Sequence, residues 1–278
     1  MMGSDYPKEF YSALHDGSLR SARQIVPLVL DLIHPLSVID IGCGTGTWLS
    51  VFKELGVTDI LGIDGDHIAE ELLEIPRESF TAVDLRKTLQ VQRTFDLVMS
   101  LEVAEHLPPE AAEDFVHKLT QFGPVILFSA AIPFQGGTNH LNEQWPDYWA
   151  HHFAALGYVA VDAIRPRVWQ DESVEFWYAQ NTLLFVQRDY LVNCPSLADQ
   201  WNENAPDRLS IVHPKPYVSL NRKYMAVAQA YAAASVEVNE QKAKAVFFWK
   251  EIAELKSKNR YLLDACDSLS TPGENSEK

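Results

Sequence analysis

Four side chains in this 278-residue sequence have the types and spacing to act on one bound molecule. Leu101-Glu102-Val103-Ala104-Glu105-His106 sets Glu102, Glu105 and His106 at i, i+3 and i+4, which share one face of a helical turn. Two carboxylates and an imidazole grouped in this way can hold a divalent metal. They can equally serve as a general base and the group that orients it, or simply form a pocket wall. His140 follows in Gly136-Gly137-Thr138-Asn139-His140-Leu141-Asn142-Glu143-Gln144-Trp145, where the glycine pair suggests a mobile loop over a pocket. With a metal, the substrate would be an aliphatic hydroxyl, because a cation lowers the pKa of an oxygen it binds by several units. Mixed oxygen and nitrogen ligands suit Mg²⁺ or Mn²⁺.

A second group of residues binds rather than reacts. Asp40-Ile41-Gly42-Cys43-Gly44-Thr45-Gly46 is a glycine-rich turn in which the backbone can approach a ligand closely. A dinucleotide fingerprint would need Gly or Ala at position 47, which is Thr47. A leading Asp is poorly matched to a pyrophosphate and well matched to an ammonium or sulfonium. Asp64 ends the next apolar run and can accept from both hydroxyls of a ribose. Asp84 follows a third run and suits an adenine amine.

These residues need a scaffold. Apolar runs at Val38–Ile41, Asp59–Asp64, Phe80–Val83, Phe95–Ser100, Val125–Ser129, Val159–Ile164 and Thr182–Gln187 read as strands, with helical segments between them. That alternation predicts a largely parallel α/β sheet. The three acids then stand at the carboxyl ends of three successive strands, where open sheets of this class bind ligands. Residues 1–35 read as an N-terminal helical cap, 36–190 as the α/β domain and 191–222, with four prolines, as a linker. Residues 223–267 read as a coiled-coil helix and 268–278 as a disordered tail. From Val227 to Cys266 mostly apolar positions recur at alternating spacings of four and three, five heptads that predict self-association through this helix.

Charge narrows the partners. The net charge is −15, and residues 36–188 carry nine basic and twenty-two acidic side chains, a net of −13. Such a surface repels phosphate backbones, so nucleic acid is not an expected partner. Residues 239–278 hold seven of each sign and are neutral. The three cysteines, Cys43, Cys194 and Cys266, form no CxxC pair, which fits a reducing, cytoplasmic setting. The longest apolar run, Val125–Phe134, is too short to span a membrane, and no signal peptide is read at the N-terminus.

The stretch from Val38 to Val186 resembles the class I S-adenosylmethionine (SAM) dependent methyltransferases. VIDIGCGTG is similar to their first motif, ILGIDGD to the second, TAVDL to the third and FDLVMSLEV to the fourth. The resemblance implies a Rossmann-like seven-stranded sheet whose last strand, Thr182–Gln187, is antiparallel. It implies Gly42, Gly44 and Gly46 at the methionine moiety with Asp40 near its ammonium. It further implies Asp64 at the ribose, Asp84 and Leu85 at the adenine, and Leu101 lining the pocket. The helices before Pro35 would cap the cofactor, with Ser18–Arg23 near its carboxylate. The ExxEH sequence with a later His resembles the metal site of small-RNA 3′-terminal 2′-O-methyltransferases, matched here by Glu102, Glu105, His106 and His140. Ubiquinone-pathway O-methyltransferases carry a similar ExxEH.

An aromatic block over residues 145–178 adds Trp145 and Trp169 as candidate substrate contacts, while Phe153 and Tyr158 read as core. His151 and His152 read as solvated helix residues. These segments resemble methyltransferases encoded with surface-polysaccharide glycosyltransferases. A methyltransferase followed by a coiled coil also resembles terminators of lipopolysaccharide O-antigen chains. The expected activity is therefore O-methylation of a sugar or glycan hydroxyl, with His106, His140 and Glu105 catalytic. The alternatives are a metal-independent O-methyltransferase of an aromatic or natural-product molecule, and an assembly module whose SAM site is vestigial. RNA 2′-O-methylation takes support from ExxEH and conflicts with the acidity.

Overall fold

A computed structural model describes residues 8–87, 89–201 and 208–270, with side chains described from 16 to 260. Seven strands form one sheet: β1 Ser37–Ile41, β2 Asp59–Asp64, β3 Phe80–Ala82, β4 Leu97–Leu101, β5 Val125–Ser129, β6 Tyr158–Val161 and β7 Leu183–Gln187. Side chains alternate strictly across it. Val38, Ile60, Leu97, Leu127 and Val186 pack into one buried cluster. Ile39, Ile63, Val98, Ile126 and Phe185 pack into another on the opposite face. Both faces being apolar, both must be covered by helices. Helix α1 (Lys8–Ile33) and α2 (Thr47–Glu54) contribute Ile25, Val29, Leu49 and Phe52 to the first cluster. Helix α3 (Ala112–Thr120) and α4 (Pro146–Ala155) cover the second, where the Phe153 ring stacks on Phe185 with centroids 3.9 Å apart. Phe153 and Tyr158 are thus core residues, as expected.

The strand order is β3-β2-β1-β4-β5-β7-β6, parallel except that β7 runs antiparallel between β5 and β6. This is the Rossmann-like seven-stranded arrangement expected from the sequence. The order reverses between β1 and β4, the switch point at which ligands of such sheets bind. The glycine turn leaves β1 there, and the Glu-x-x-Glu-His sequence leaves β4. The antiparallel strand has a further consequence. Its first residue, Leu183, pairs with Phe128 near the end of β5. The chain immediately before β7 therefore lies at the same edge where the parallel strands finish.

Two short helices, α5 (Arg165–Val168) and α6 (Phe176–Asn181), precede β7, and α7 (Pro195–Ala198) follows it. The region expected to be a linker is partly folded onto the domain: Leu191, Cys194, Leu197 and Leu209 are buried. Helix α8 runs from Pro214 to Ser270, beginning nine residues before the expected 223. Proline is tolerated in a first helical turn, so Pro214 and Pro216 start this helix rather than prevent it. The helix also takes in Ser268–Ser270, expected to open the disordered tail, and residues 271–278 of that tail lie outside the described residues. The chain divides into two compact units, Met1–Tyr217 and Val218–Lys278. Among the described residues, no helix is long and apolar enough to cross a membrane.

Candidate active site

The glycine turn is held in a shape that only glycine adopts readily. Gly42 has φ +89° and Gly44 φ +55°. A Cβ on Gly42 would lie 2.3 Å from Val103 Cγ2, so the turn packs directly against the segment carrying the Glu-x-x-Glu-His sequence. A Cβ on Gly44 would meet no atom within 4 Å, and this backbone faces open space. The Gly44 amide donates to Asp64 Oδ2 at 2.7 Å, and the Gly65 amide donates to Oδ1 at 2.6 Å. Glu74 braces the turn from outside, accepting from the Thr45 and Thr47 hydroxyls at 2.7 and 2.5 Å. Gly46 caps α2 in a left-handed conformation.

Asp40 lies within β1 and is only 3% exposed. Burial, and then the charge of Asp64, push its carboxyl up to about 7. A carboxylate in that position is stabilised by a cationic group entering the turn. Asp84 lies beyond β3, where Arg86 grips it with two hydrogen bonds of 2.9 Å, and this pairing holds it down at about 2. Leu85 is partly buried beside the second core cluster, and Leu101 is buried at the end of β4. At the start of the domain, Ser18 Oγ and Tyr178 Oη lie 3.1 Å apart, Arg20 pairs with Glu175 at 2.8 Å, and Arg23 approaches Glu54 at 3.7 Å.

The four residues of the second constellation fall at one place, though not in one role. Glu105, His106 and His140 can each offer a ligand atom, all within 4.8 Å of one another. The two imidazoles meet edge to face with centroids 4.9 Å apart. Glu105 is fully buried, and neither carboxylate oxygen makes a hydrogen bond of ordinary geometry. The Ala131 amide and the Glu102 carboxyl are in its surroundings. Burial first, and the Glu102 charge second, raise the Glu105 carboxyl well above the usual carboxylate range. Two buried carboxylates so close disfavour each other's ionisation, and a cation between acids and imidazoles reverses that preference. The fit to a divalent cation therefore rests on an orphaned buried carboxylate beside two imidazoles. Burial also lowers the pKa of His106, which favours the neutral, lone-pair-bearing ring.

Glu102 stands beside this trio rather than in it. Its φ of +55° is unusual for a residue with a side chain, a local strain of about 1–3 kcal/mol that tends to sit at working sites. Its Oε1 accepts from Asn181 Nδ2 at 3.1 Å, and its Oε2 accepts from Gln135 Nε2 at 3.0 Å. Asn181 comes from the segment that β7 brings to this edge. Glu143 organises the loop that bears His140. Its Oε1 accepts from the Gly136 amide at 3.1 Å and pairs with His140 Nδ1 at 2.9 Å, while Oε2 accepts from the Phe134 amide at 2.8 Å. If Nδ1 carries the proton, Nε2 keeps its lone pair, the usual way a carboxylate prepares a ligating imidazole. The Leu141 and Asn142 amides donate to the Glu105 carbonyl at 2.8 and 3.0 Å, pinning the loop to the turn after β4. Gln135 and Asn181 carry no sequence signal of their own as site residues. Only Glu143, three residues beyond His140, stands at a spacing that hints at a partner.

The aromatic candidates separate. Trp145 is 39% exposed, whereas Trp149 is buried. Trp169 is half-buried against His213, with centroids 4.8 Å apart. His151 is exposed.

A family model described as a methyltransferase domain matches residues 14–152, half of the chain, including the glycine turn, Asp64 and the Glu-x-x-Glu-His sequence. The chain belongs to this methyltransferase-domain family. Its residues 14–152 form a methyltransferase domain, as the resemblance to class I SAM-dependent methyltransferases implied. This methyltransferase is 28% identical over 193 residues to a ubiquinone biosynthesis O-methyltransferase of Rhodopseudomonas palustris, covering 63% of this chain and 68% of that one. It is 32% identical over 123 residues to a ribosomal protein L11 methyltransferase of Thermosipho africanus, covering 42% of this chain. That match spans only 45% of the relative's own length. In structure it is similar to the sugar N-methyltransferase KedS8 of Streptoalloteichus, with a TM-score of 0.52 at 14% identity. The overlap covers 68% of this chain and 96% of KedS8 and is a likeness of fold. For SAM, the methyltransferase offers an open glycine turn with a buried acid behind it and a second acid at the end of the next strand. That set fits a ligand with a cationic end and a ribose.

Proposed function

We propose that this methyltransferase transfers the SAM methyl group to a hydroxyl oxygen of a sugar or glycan, and that Glu105, His106 and His140 activate that hydroxyl. One observation carries the reading. A fully buried carboxylate without an ordinary hydrogen bond, Glu105, stands with two imidazoles beside the glycine turn.

SAM, when bound, supplies a methyl group on a positively charged sulfur. The chain's own residues do the remaining work. Asp40 balances the cationic end of the ligand, and the Gly42–Gly46 backbone lies alongside it. Asp64 spends one interaction per oxygen on backbone amides and keeps acceptor capacity for ribose hydroxyls. Asp84, steadied by Arg86, and Leu85 lie at the adenine end, and Leu101 forms the wall beneath it. Glu105, His106 and His140 would hold Mg²⁺ or Mn²⁺, which when bound would lower the pKa of an oxygen beside it. Glu102 adds the second negative charge, and its amide partners keep it in place. With the cation held, the hydroxyl proton would pass to solvent water; without it, the free lone pair of His106, or of His140 backed by Glu143, would accept that proton. The protein otherwise contributes proximity and in-line orientation. Trp145 offers an exposed aromatic face to a pyranose ring. Free thiols at Cys43 and Cys194 suit a cytoplasmic enzyme, and α8 joins copies of the chain.

Titration of the full chain with Mn²⁺, followed by calorimetry and electron paramagnetic resonance, tests the cation. Micromolar binding that weakens at least roughly tenfold in His140→Ala and in Glu105→Gln supports it. Equal binding by all three proteins overturns it. A second reading is favoured by the lowered pKa of His106, which leaves a neutral imidazole able to act as a base without metal on an aromatic hydroxyl. Activity that survives EDTA, with a slow His140→Ala variant, selects that reading. Absence of SAM binding at high micromolar concentration would select a vestigial site.

A further inference from the structure

Helix α8 runs unbroken from Pro214 to Ser270, roughly 85 Å at 1.5 Å per residue. Its early start matters. Tyr217, Leu220 and Tyr224 continue the four-three spacing of Val227–Cys266 backwards, so the seam spans seven heptads rather than five. In heptad terms, Tyr217, Tyr224, Tyr231, Val238, Ile252 and Asn259 fall at a positions. Leu220, Val227, Phe248 and Leu255 fall at d. Nine large apolar side chains of this seam, from Tyr217 to Leu255, are between 41% and 76% exposed. A helix gains most of its stability from packing an apolar face, and an exposed stripe of this size marks an interaction surface.

The flanking charges say what covers it. Every charged e position is a lysine, Lys242 and Lys256. The g positions five residues earlier are Glu237 and Glu251. In a parallel, in-register pair, g of one helix faces the following e of the other. Glu237 then meets Lys242 of the second copy, and Glu251 meets Lys256, on both sides of the axis. An antiparallel pair brings e against e and sets lysines together, and brings g against g, where Glu237, Lys244, Glu251 and Lys258 mix both signs, so the e lysines and Asn259 carry the choice of direction. Asn259, at an a position between Ile252 and Leu262, meets its own counterpart only when the helices are parallel and in register, the arrangement in which a buried Asn fixes pairing. Ile252 at a with Leu255 and Leu262 at d favours two strands over three.

We infer that α8 is a parallel, in-register, two-stranded coiled coil formed with a second copy of this chain. The inference rests on the self-association proposed above and adds its partner, orientation and register.

Sedimentation equilibrium of the full chain, together with cysteine cross-linking, tests it. The expected mass is twice the 31.4 kDa of the chain. In a Cys266→Ser background, Tyr224→Cys and Ile252→Cys are each expected to form a self-disulfide on oxidation. An antiparallel pair can bring at most one of these two positions against itself. Lys242→Glu with Lys256→Glu is expected to weaken the dimer at least roughly tenfold, and adding Glu237→Lys with Glu251→Lys to restore it. A monomer at micromolar concentration overturns both the self-association and its geometry. A dimer in which only one or neither cysteine cross-links, or in which the charge swap fails to restore pairing, leaves self-association standing and overturns the parallel register. A trimer overturns the strand number.

Discussion

Replacing Asp40 by Asn tests how the glycine turn recognises its ligand. Asp40 is buried, its carboxyl is pushed up to about 7, and Asp64 adds a repelling charge. In the free enzyme the folded-state pKa lies above the ordinary 3.8 of an unfolded Asp. Its contribution to stability is therefore complete below about pH 4 and is lost as pH rises through about 7. At 1.36 kcal/mol per unit, those roughly three units amount to about 4 kcal/mol, an order of magnitude only. A cationic ligand requires the ionised form. Below pH 7 binding must release a proton, so SAM affinity is expected to fall toward tenfold per unit, roughly fiftyfold from pH 7 to pH 5. Asp40→Asn removes both effects. The free variant loses this part of the decline in melting temperature between pH 4 and 8. Its SAM affinity becomes nearly flat with pH and at pH 8 is about ten- to a hundredfold weaker, the loss of one charge-assisted contact of about 1.5–3 kcal/mol. Calorimetric SAM titrations from pH 5 to 8, beside melting curves without ligand, provide the readout. A wild-type affinity that does not change with pH, or an Asn variant that keeps the slope, would refute the assignment of Asp40.

Three further outcomes follow from the same geometry. Glu143→Ala releases His140 and leaves the Phe134 and Gly136 amides without their acceptor, so Mn²⁺ affinity is expected to drop about ten- to a hundredfold, read by calorimetry. Asn181→Ala removes one of two amides holding Glu102; a loss of about 1–3 kcal/mol is expected in kcat/KM for methyl transfer, with SAM affinity unchanged. Gly42→Ala drives a Cβ into Val103 and occupies a left-handed position; it is expected to lower stability by at least about 1 kcal/mol in urea unfolding and to weaken SAM binding, with Val103→Ala relieving only the steric part.

The sheet was legible because its strands are short β-branched runs whose alternate residues must serve two buried faces, as at Val38 and Ile39. The acids at its edge were legible because Asp64 ends such a run and Asp40 stands one residue before the end of another. The place of β7 came from family resemblance, since no local pattern tells a parallel from an antiparallel strand. Yet that strand is what brings Asn181 to Glu102, so Asn181 could not be found without it. Gln135 was equally silent, as amides are common in loops. Arg86 beside Asp84 is an i, i+2 pair made by a turn, invisible to helix spacing rules. The boundary of α8 was misplaced because Pro214 and Pro216 read as breakers, whereas proline at a helix start is harmless. Leu191, Cys194 and Leu197 were assigned to a linker for want of periodicity, although single residues suffice to anchor short turns onto a core.

The most direct test of the central claim is methyl transfer itself. The full chain is incubated with isotopically methyl-labelled SAM, Mn²⁺ and a panel of sugars and glycans, and the products are examined by mass spectrometry and nuclear magnetic resonance. A labelled methyl ether on a sugar oxygen, formed by the wild type and at least roughly tenfold more slowly by Glu105→Gln and His140→Ala, is the predicted result. Label appearing only on nitrogen or carbon, or an ether formed equally fast by all three proteins, would contradict it.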